Sequence, residues 1–209
     1  MEIAEVWQSI DGERTALAGQ LAGLRPEQWD TPSLCTGLSV REVLAHLTAS
    51  GVLSGPRWFF GVLRARFDFD KQVAQRLQEQ LGANPAETLA RFEATIGSRT
   101  SPPVPKLALL GETVVHGEDI RHPLGLVREH PLPVLQALAE YYAGSDQVVL
   151  ARSRVRGLRL EAEDSGFATG EGPLIRGKTL ALIMAMTGRK AYWPQLSGPG
   201  LARLMTQPG

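Results

Sequence analysis

Glu112-Thr113-Val114-Val115-His116-Gly117-Glu118-Asp119-Ile120-Arg121 is the stretch on which the reading of this chain turns. Its residues recur at helical spacing, and the pattern predicts a helix over Lys106 to Arg121. Leu107, Leu110 and Val114 fall on one side of that helix, and Glu112, His116 and Asp119 on the other. Leu109 and Val115 border the polar stripe. A stripe so bordered suits the wall of an internal cleft better than open solvent, although a solvated helix face carries the same pattern. Glu112 and His116 are one turn apart, which sets their Cβ atoms about 6 Å from each other on one face. A carboxylate and an imidazole at that spacing can close on one divalent metal, or can be ordinary polar residues of a helix surface. Pro123 and Gly125 end the helix.

Working outward, Ile3, Val6, Ile10, Leu17 and Leu21 mark a helix over residues 3–23, which Pro26 and Asp30-Thr31-Pro32-Ser33 break. Ser39 with Glu42 three residues later is a capping box opening a second helix. Val40, Val43, Leu44 and Leu47 form its apolar face. His46 lies on the margin of that face, where a histidine is either a packed residue or a third ligand. Gly51 to Pro56 interrupts, and Trp58 to Phe60 is aromatic. A third helix is expected from about Asp70 to Ile96, with a weak point at Gly82-Ala83-Asn84-Pro85. Pro102, Pro103 and Pro105 separate it from the fourth, and one more helix is expected over Val134 to Ala143.

After Gly144 the character changes. Leu158, Leu160 and Ala162 alternate with Arg159, Glu161 and Glu163, the period of a half-buried strand. Gly166 to Gly172 is turn material, and Thr179 to Met186 reads as a helix with Gly188 just past its end. The expected fold class is α+β, with an all-helical portion over residues 1–147 followed by a small α/β portion over residues 148–209.

Composition narrows the function. The formal net charge is zero and the pI near 6.9, which argues against a nucleic-acid binder. A single cysteine excludes an internal disulfide framework. The acidic start Met1-Glu2-Ile3-Ala4-Glu5 is not that of a signal peptide, and no apolar run approaches the ~20 residues that span a bilayer. The expectation is a soluble cytoplasmic protein.

Two segments carry a wider pattern. Trp29-Asp30-Thr31-Pro32-Ser33-Leu34-Cys35-Thr36-Gly37-Leu38-Ser39-Val40-Arg41-Glu42-Val43-Leu44-Ala45-His46-Leu47 is followed downstream by the Glu112–Arg121 stretch and His122-Pro123-Leu124-Gly125. Together they resemble the mycothiol-dependent maleylpyruvate isomerase family, which belongs to the DinB-like metalloenzymes. Gly170-Glu171-Gly172-Pro173-Leu174-Ile175-Arg176-Gly177 and Leu182 to Arg189 look like that family's small second domain. The resemblance implies a DinB-like four-helix bundle holding zinc or a related divalent ion through His46, Glu112 and His116. It also implies a low-molecular-weight thiol, typically mycothiol, as cosubstrate, and a small electrophile as substrate, with isomerisation or S-transfer as the reaction. Two histidines and a carboxylate leave coordination positions open, the catalytic rather than the structural pattern of zinc. The rival reading is a non-catalytic, metal-stabilised bundle whose second domain binds a ligand or a partner. The chain departs from the family in having Leu38 where tryptophan is usual and His122 where arginine is usual.

Other residues carry two readings each. Asp119 is one turn beyond His116 and either accepts a hydrogen bond from its imidazole or, with Arg121, ties down the helix end, the reading the sequence slightly favours. By resemblance Arg189 binds an acid group of the substrate; otherwise it is a surface arginine. His122 is a substrate group or a histidine favoured by the helix dipole. Cys35, just before a helix N-terminus, reads as packing rather than as a nucleophile. Gly172-Pro173-Leu174-Ile175-Arg176-Gly177-Lys178-Thr179 matches the phosphate-loop pattern in letters, but its lead-in, Gly166-Phe167-Ala168-Thr169-Gly170-Glu171, is not the buried strand that such a loop needs.

Overall fold

The computed structural model describes residues 1–53, 55 and 69–206. The aromatic Trp58–Phe60 segment lies outside the described residues. The chain divides into two compact units, Met1–Arg128 and Glu129–Gly209.

The first unit is helical. Helix α1 (Ile3–Leu21) opens with the Glu2 amide donating to the Glu5 carboxylate at 2.8 Å, and buries Val6, Ile10, Leu17 and Leu21. A short 3-10 turn, Pro26–Asp30, puts Trp29 into the core. Helix α2 (Val40–Val52) begins with the expected capping box: the Ser39 amide donates to Glu42 at 2.8 Å, and Ser39 Oγ accepts from the Glu42 amide at 3.3 Å. The expected third helix is two helices, α3 (Phe69–Gln80) and α4 (Pro85–Glu93). Pro85 lacks the N–H that a continuous helix would use, and Asn84 Oδ1 caps the new start by accepting from the Glu87 amide at 2.9 Å.

Helix α5 (Lys106–Leu124) runs three residues past its expected end, its last turn closed by Gly125 at φ 65°. It packs against α1 and α2, and α2 in turn packs against α3 and α4. Leu109, Leu110, Val114, Val115 and Ile120 are buried, and so are Glu118, Asp119 and Arg121. Part of the polar side of α5 is thus packed within the unit instead of facing solvent. Arg121 Nε donates to Gln20 of α1 at 2.7 Å, and its Nη1 lies 3.3 Å from Glu118. Glu13 of α1 accepts from Arg128 at 3.1 Å and stands 3.9 Å from Arg121. Arg121 therefore ties α5 to α1 with charge, a role that the sequence allowed it. Leu17, Leu21, Val40, Val43, Leu44, Leu47, Phe92 and Ile120 form the apolar core.

The second unit begins with α6 (Leu132–Gly144), which buries Val134, Leu135, Leu138, Ala139 and Tyr142 and packs against the later helix Thr179–Met186. The sequence places the division after residue 147, whereas the compact unit includes α6; the difference is this one helix. A single-turn helix α7 (Ala151–Arg154) leads into β1 (Arg159–Ala162). β2 (Ala168–Thr169) pairs antiparallel with β1, and β3 (Leu174–Gly177) pairs parallel with it, Leu160 opposite Ile175. The sheet order is β2-β1-β3. Helix α8 (Thr179–Met186) is buried, a 3-10 turn Lys190–Gln195 follows, and α9 (Leu201–Thr206) closes the described chain. β3 occupies the middle of the phosphate-loop lookalike, so those residues form ladder hydrogen bonds rather than a phosphate cradle. Gly172 at φ 121° is needed there, because a Cβ would stand 2.3 Å from the Gly157 carbonyl oxygen. The helical first portion and small α/β second portion expected from the sequence are both present. Among the described residues no helix is long and apolar enough to cross a membrane.

Candidate metal centre

His46 projects from α2, and Glu112 and His116 project from α5 one turn apart. One ligand atom from each of the three lies within 4.8 Å of the others. His46 Nε2 and Glu112 Oε1 are 3.2 Å apart. The two imidazoles meet edge to face, with centroids 4.9 Å apart and planes at 82°. Each side chain is about one-fifth exposed (21%, 22% and 20%), so the cluster is neither sealed in the core nor spread on the surface. An ion can reach it, and its neighbours can hold it.

Those neighbours are specific. Ser50, one turn beyond His46 on α2, donates its hydroxyl to Glu112 Oε1 at 2.6 Å. Asp119, one turn beyond His116 and wholly buried, has Oδ2 2.9 Å from His116 Nδ1. With Nδ1–H given to the carboxylate, Nε2 is the imidazole nitrogen available to an ion. The structure thus gives Asp119 the imidazole contact, the reading that the sequence slightly disfavoured. The loop before α2 closes on the same point. The Leu34 amide donates to the Asp119 carbonyl at 3.1 Å, and Cys35 S–H donates to Asp119 Oδ2 at 3.0 Å. Cys35 Sγ is 3.4 Å from His116 Nδ1.

The electrostatics follow from burial and charge. Burial pulls the His46 imidazole down, but the hydrogen bond and charge of Glu112, with the charge of Asp119, outweigh it and hold the group above its ordinary value. Burial pushes the Glu112 carboxyl up; the His46 hydrogen bond and charge, then His116 and the Ser50 hydroxyl, reverse this and hold it below the usual carboxylate range. Burial lowers His116, and Asp119 does not restore it. A carboxylate kept ionised and an imidazole kept neutral are the forms in which these residues ligate metals.

Arg189, in the second unit, precedes the 3-10 turn and donates Nη1 to the Thr187 carbonyl at 2.7 Å. His122 is exposed in the last turn of α5. Lys178 flanks the start of α8. The sequence reading missed Ser50, although its place four residues after His46 was the available signal. It also missed the contacts of Cys35, which depend on a loop conformation that no periodicity encodes.

Residues 10–101 match the family model described as the Mycothiol maleylpyruvate isomerase N-terminal domain. That span contains His46 and ends before Glu112. No curated protein matches the chain. Two solved structures are similar over 95% of this chain and 93% of theirs, each at 13% identity. One is a crystal structure of a histidine-to-alanine mutant of the mycothiol-dependent maleylpyruvate isomerase, with a TM-score of 0.64. The other is a crystal structure of the mycothiol-dependent maleylpyruvate isomerase, with a TM-score of 0.57. At that identity the likeness is one of fold.

Proposed function

We propose, starting from an N-terminal portion that belongs to the mycothiol maleylpyruvate isomerase N-terminal domain family, that this protein is a divalent-metal-dependent enzyme using a low-molecular-weight thiol. The thiol is mycothiol, the ion is zinc, and the reaction is isomerisation of, or S-transfer to, a small electrophile. One observation carries the reading: three ligand atoms of the right types, on partly exposed side chains, gather at one point, with a buried carboxylate on the far nitrogen of one of them.

The donor set fits the ion. A tetrahedral zinc with bonds of about 2.0–2.1 Å has ligand-to-ligand edges of about 3.3–3.4 Å, close to the 3.2 Å between His46 and Glu112. A divalent ion held there would lower the pKa of an entering thiol, supplying a thiolate at neutral pH. The protein's own residues do the rest. Asp119 fixes the tautomer and the ring plane of His116. Ser50 fixes the rotation of the Glu112 carboxylate. Arg189 is the proposed partner for an acid group of the substrate. In an isomerisation of the family's kind, thiolate adds reversibly to an activated alkene, rotation follows about the former double bond, and the thiolate leaves.

The test is elemental analysis with a maleylpyruvate isomerisation assay, with and without mycothiol, on wild type and His116→Ala. Wild type is expected to carry about one metal per chain and to turn over only with thiol; the variant is expected to lose both. Metal retained at full occupancy without any thiol-dependent turnover would favour the non-catalytic, metal-stabilised reading.

A further inference from the structure

Behind the proposed centre lies a second set of ligand atoms. Cys35 Sγ, His116 Nδ1 and Asp119 Oδ2 form a triangle with sides of 3.0, 3.4 and 2.9 Å. A nucleophile–base–acid relay would need the thiol and the carboxylate on opposite nitrogens of the imidazole. Here both address Nδ1, so the three atoms surround a point instead of forming a chain. The geometry points to a second cation position at that point, taking a thiophilic divalent ion such as zinc or cadmium.

Three features support it. The set is thiolate, imidazole and carboxylate, a combination that zinc accepts. A tetrahedral ion with bonds of about 2.0–2.3 Å needs edges of about 3.3–3.8 Å, so the triangle has to open by only about half an ångström. Asp119 is wholly shielded from water, and a carboxylate in such a place is stabilised by protons or cations set against it. Binding exchanges two protons, one from Sγ and one from Nδ1, for the ion, and both protons go to solvent. The position shares His116 with the proposed centre but uses neither His46 nor Glu112. An ion in it removes the Nδ1 proton that Asp119 holds, so filling it works against the geometry on which the first position relies.

The chain has one cysteine, which makes the test specific. Metal-free protein titrated with cobalt(II) is expected to develop a near-ultraviolet thiolate-to-cobalt charge-transfer band. The band should persist in His46→Ala and vanish in Cys35→Ser, and its midpoint in Asp119→Asn should move to at least about tenfold higher cobalt. Cadmium alone should also protect Cys35 of the wild-type protein from alkylation by iodoacetamide, a measurement that needs no variant. Absence of the band at cobalt saturation, alkylation unaffected by cadmium, or an unchanged midpoint in Asp119→Asn would each overturn the proposal. Persistence of the band in His46→Ala separates this position from the first, so failure of one leaves the other standing.

Discussion

Asp119 Oδ2 stands 2.9 Å from Nδ1 of His116, one helical turn away on α5. The contact joins a group shielded from solvent to one that is partly open, along a single rigid element. The helix itself therefore sets the direction of the imidazole, and the carboxylate sets which nitrogen carries the proton.

Asp119→Asn keeps the size of the side chain and removes its charge. Metal affinity, measured by competition with a chromophoric chelator, is expected to fall about 10–100-fold, with the helical circular dichroism unchanged. Affinity within twofold of wild type would show that the carboxylate does not support His116.

Ser50→Ala deletes the 2.6 Å hydrogen bond to Glu112 and leaves all three proposed ligands in place. A net loss of about 1.5–3 kcal/mol for a hydrogen bond to a charged group corresponds to an affinity roughly 10–150-fold weaker. A variant indistinguishable from wild type would mean that Glu112 is held by its helix alone.

Metal binding is expected to strengthen as pH rises. His46 is held above its ordinary value, so below that raised value it is protonated and cannot ligate. His116 is held below its ordinary value and is already neutral there. The proton competing with the ion in this range is therefore the one on His46, and affinity falls as pH drops through its raised value. Chelator competition across pH 5–9 measures the slope, and a flat profile would contradict the assignment.

Arg121→Ala removes a buried positive charge that stands 3.3 Å from Glu118 and 3.9 Å from Glu13. The expected cost is about 3–5 kcal/mol of unfolding free energy in urea. Replacing Arg121 with methionine restores packing but not charge, and is expected to recover part of that loss. A cost below about 1 kcal/mol for the alanine variant would show that the Gln20, Glu118 and Glu13 contacts contribute little.

How much could be read from the letters alone differed by kind of signal. Ser39 and Glu42 announce the start of α2, and Gly125 the end of α5, because capping is local chemistry. The gathering of His46 with Glu112 and His116 was legible through i, i+4 spacing and family resemblance. β3 was not, since four residues between glycines are too few for an alternation to stand out. The burial of Asp119 and Arg121 was hidden for another reason: α5 is packed on several sides, so its wheel has no single wet face to betray which polar residues have partners. Lys178 shows the opposite error that letters invite, a pattern match whose neighbouring residues pair into a sheet.

His46 and Glu112 are 66 positions apart in the chain, yet their polar atoms end 3.2 Å apart. During synthesis the ribosome releases His46 long before α5 exists. A nascent chain stopped at residue 101 contains the whole span that matches the family and only one of the three proposed ligands. Capture of an ion by these three residues would thus be a late event in the life of each molecule, available only to chains whose α5 has been made and docked beside α2. Metal content would then count finished first units, and a pool of full-length protein that stays metal-poor in excess zinc would be a pool in which that docking had failed.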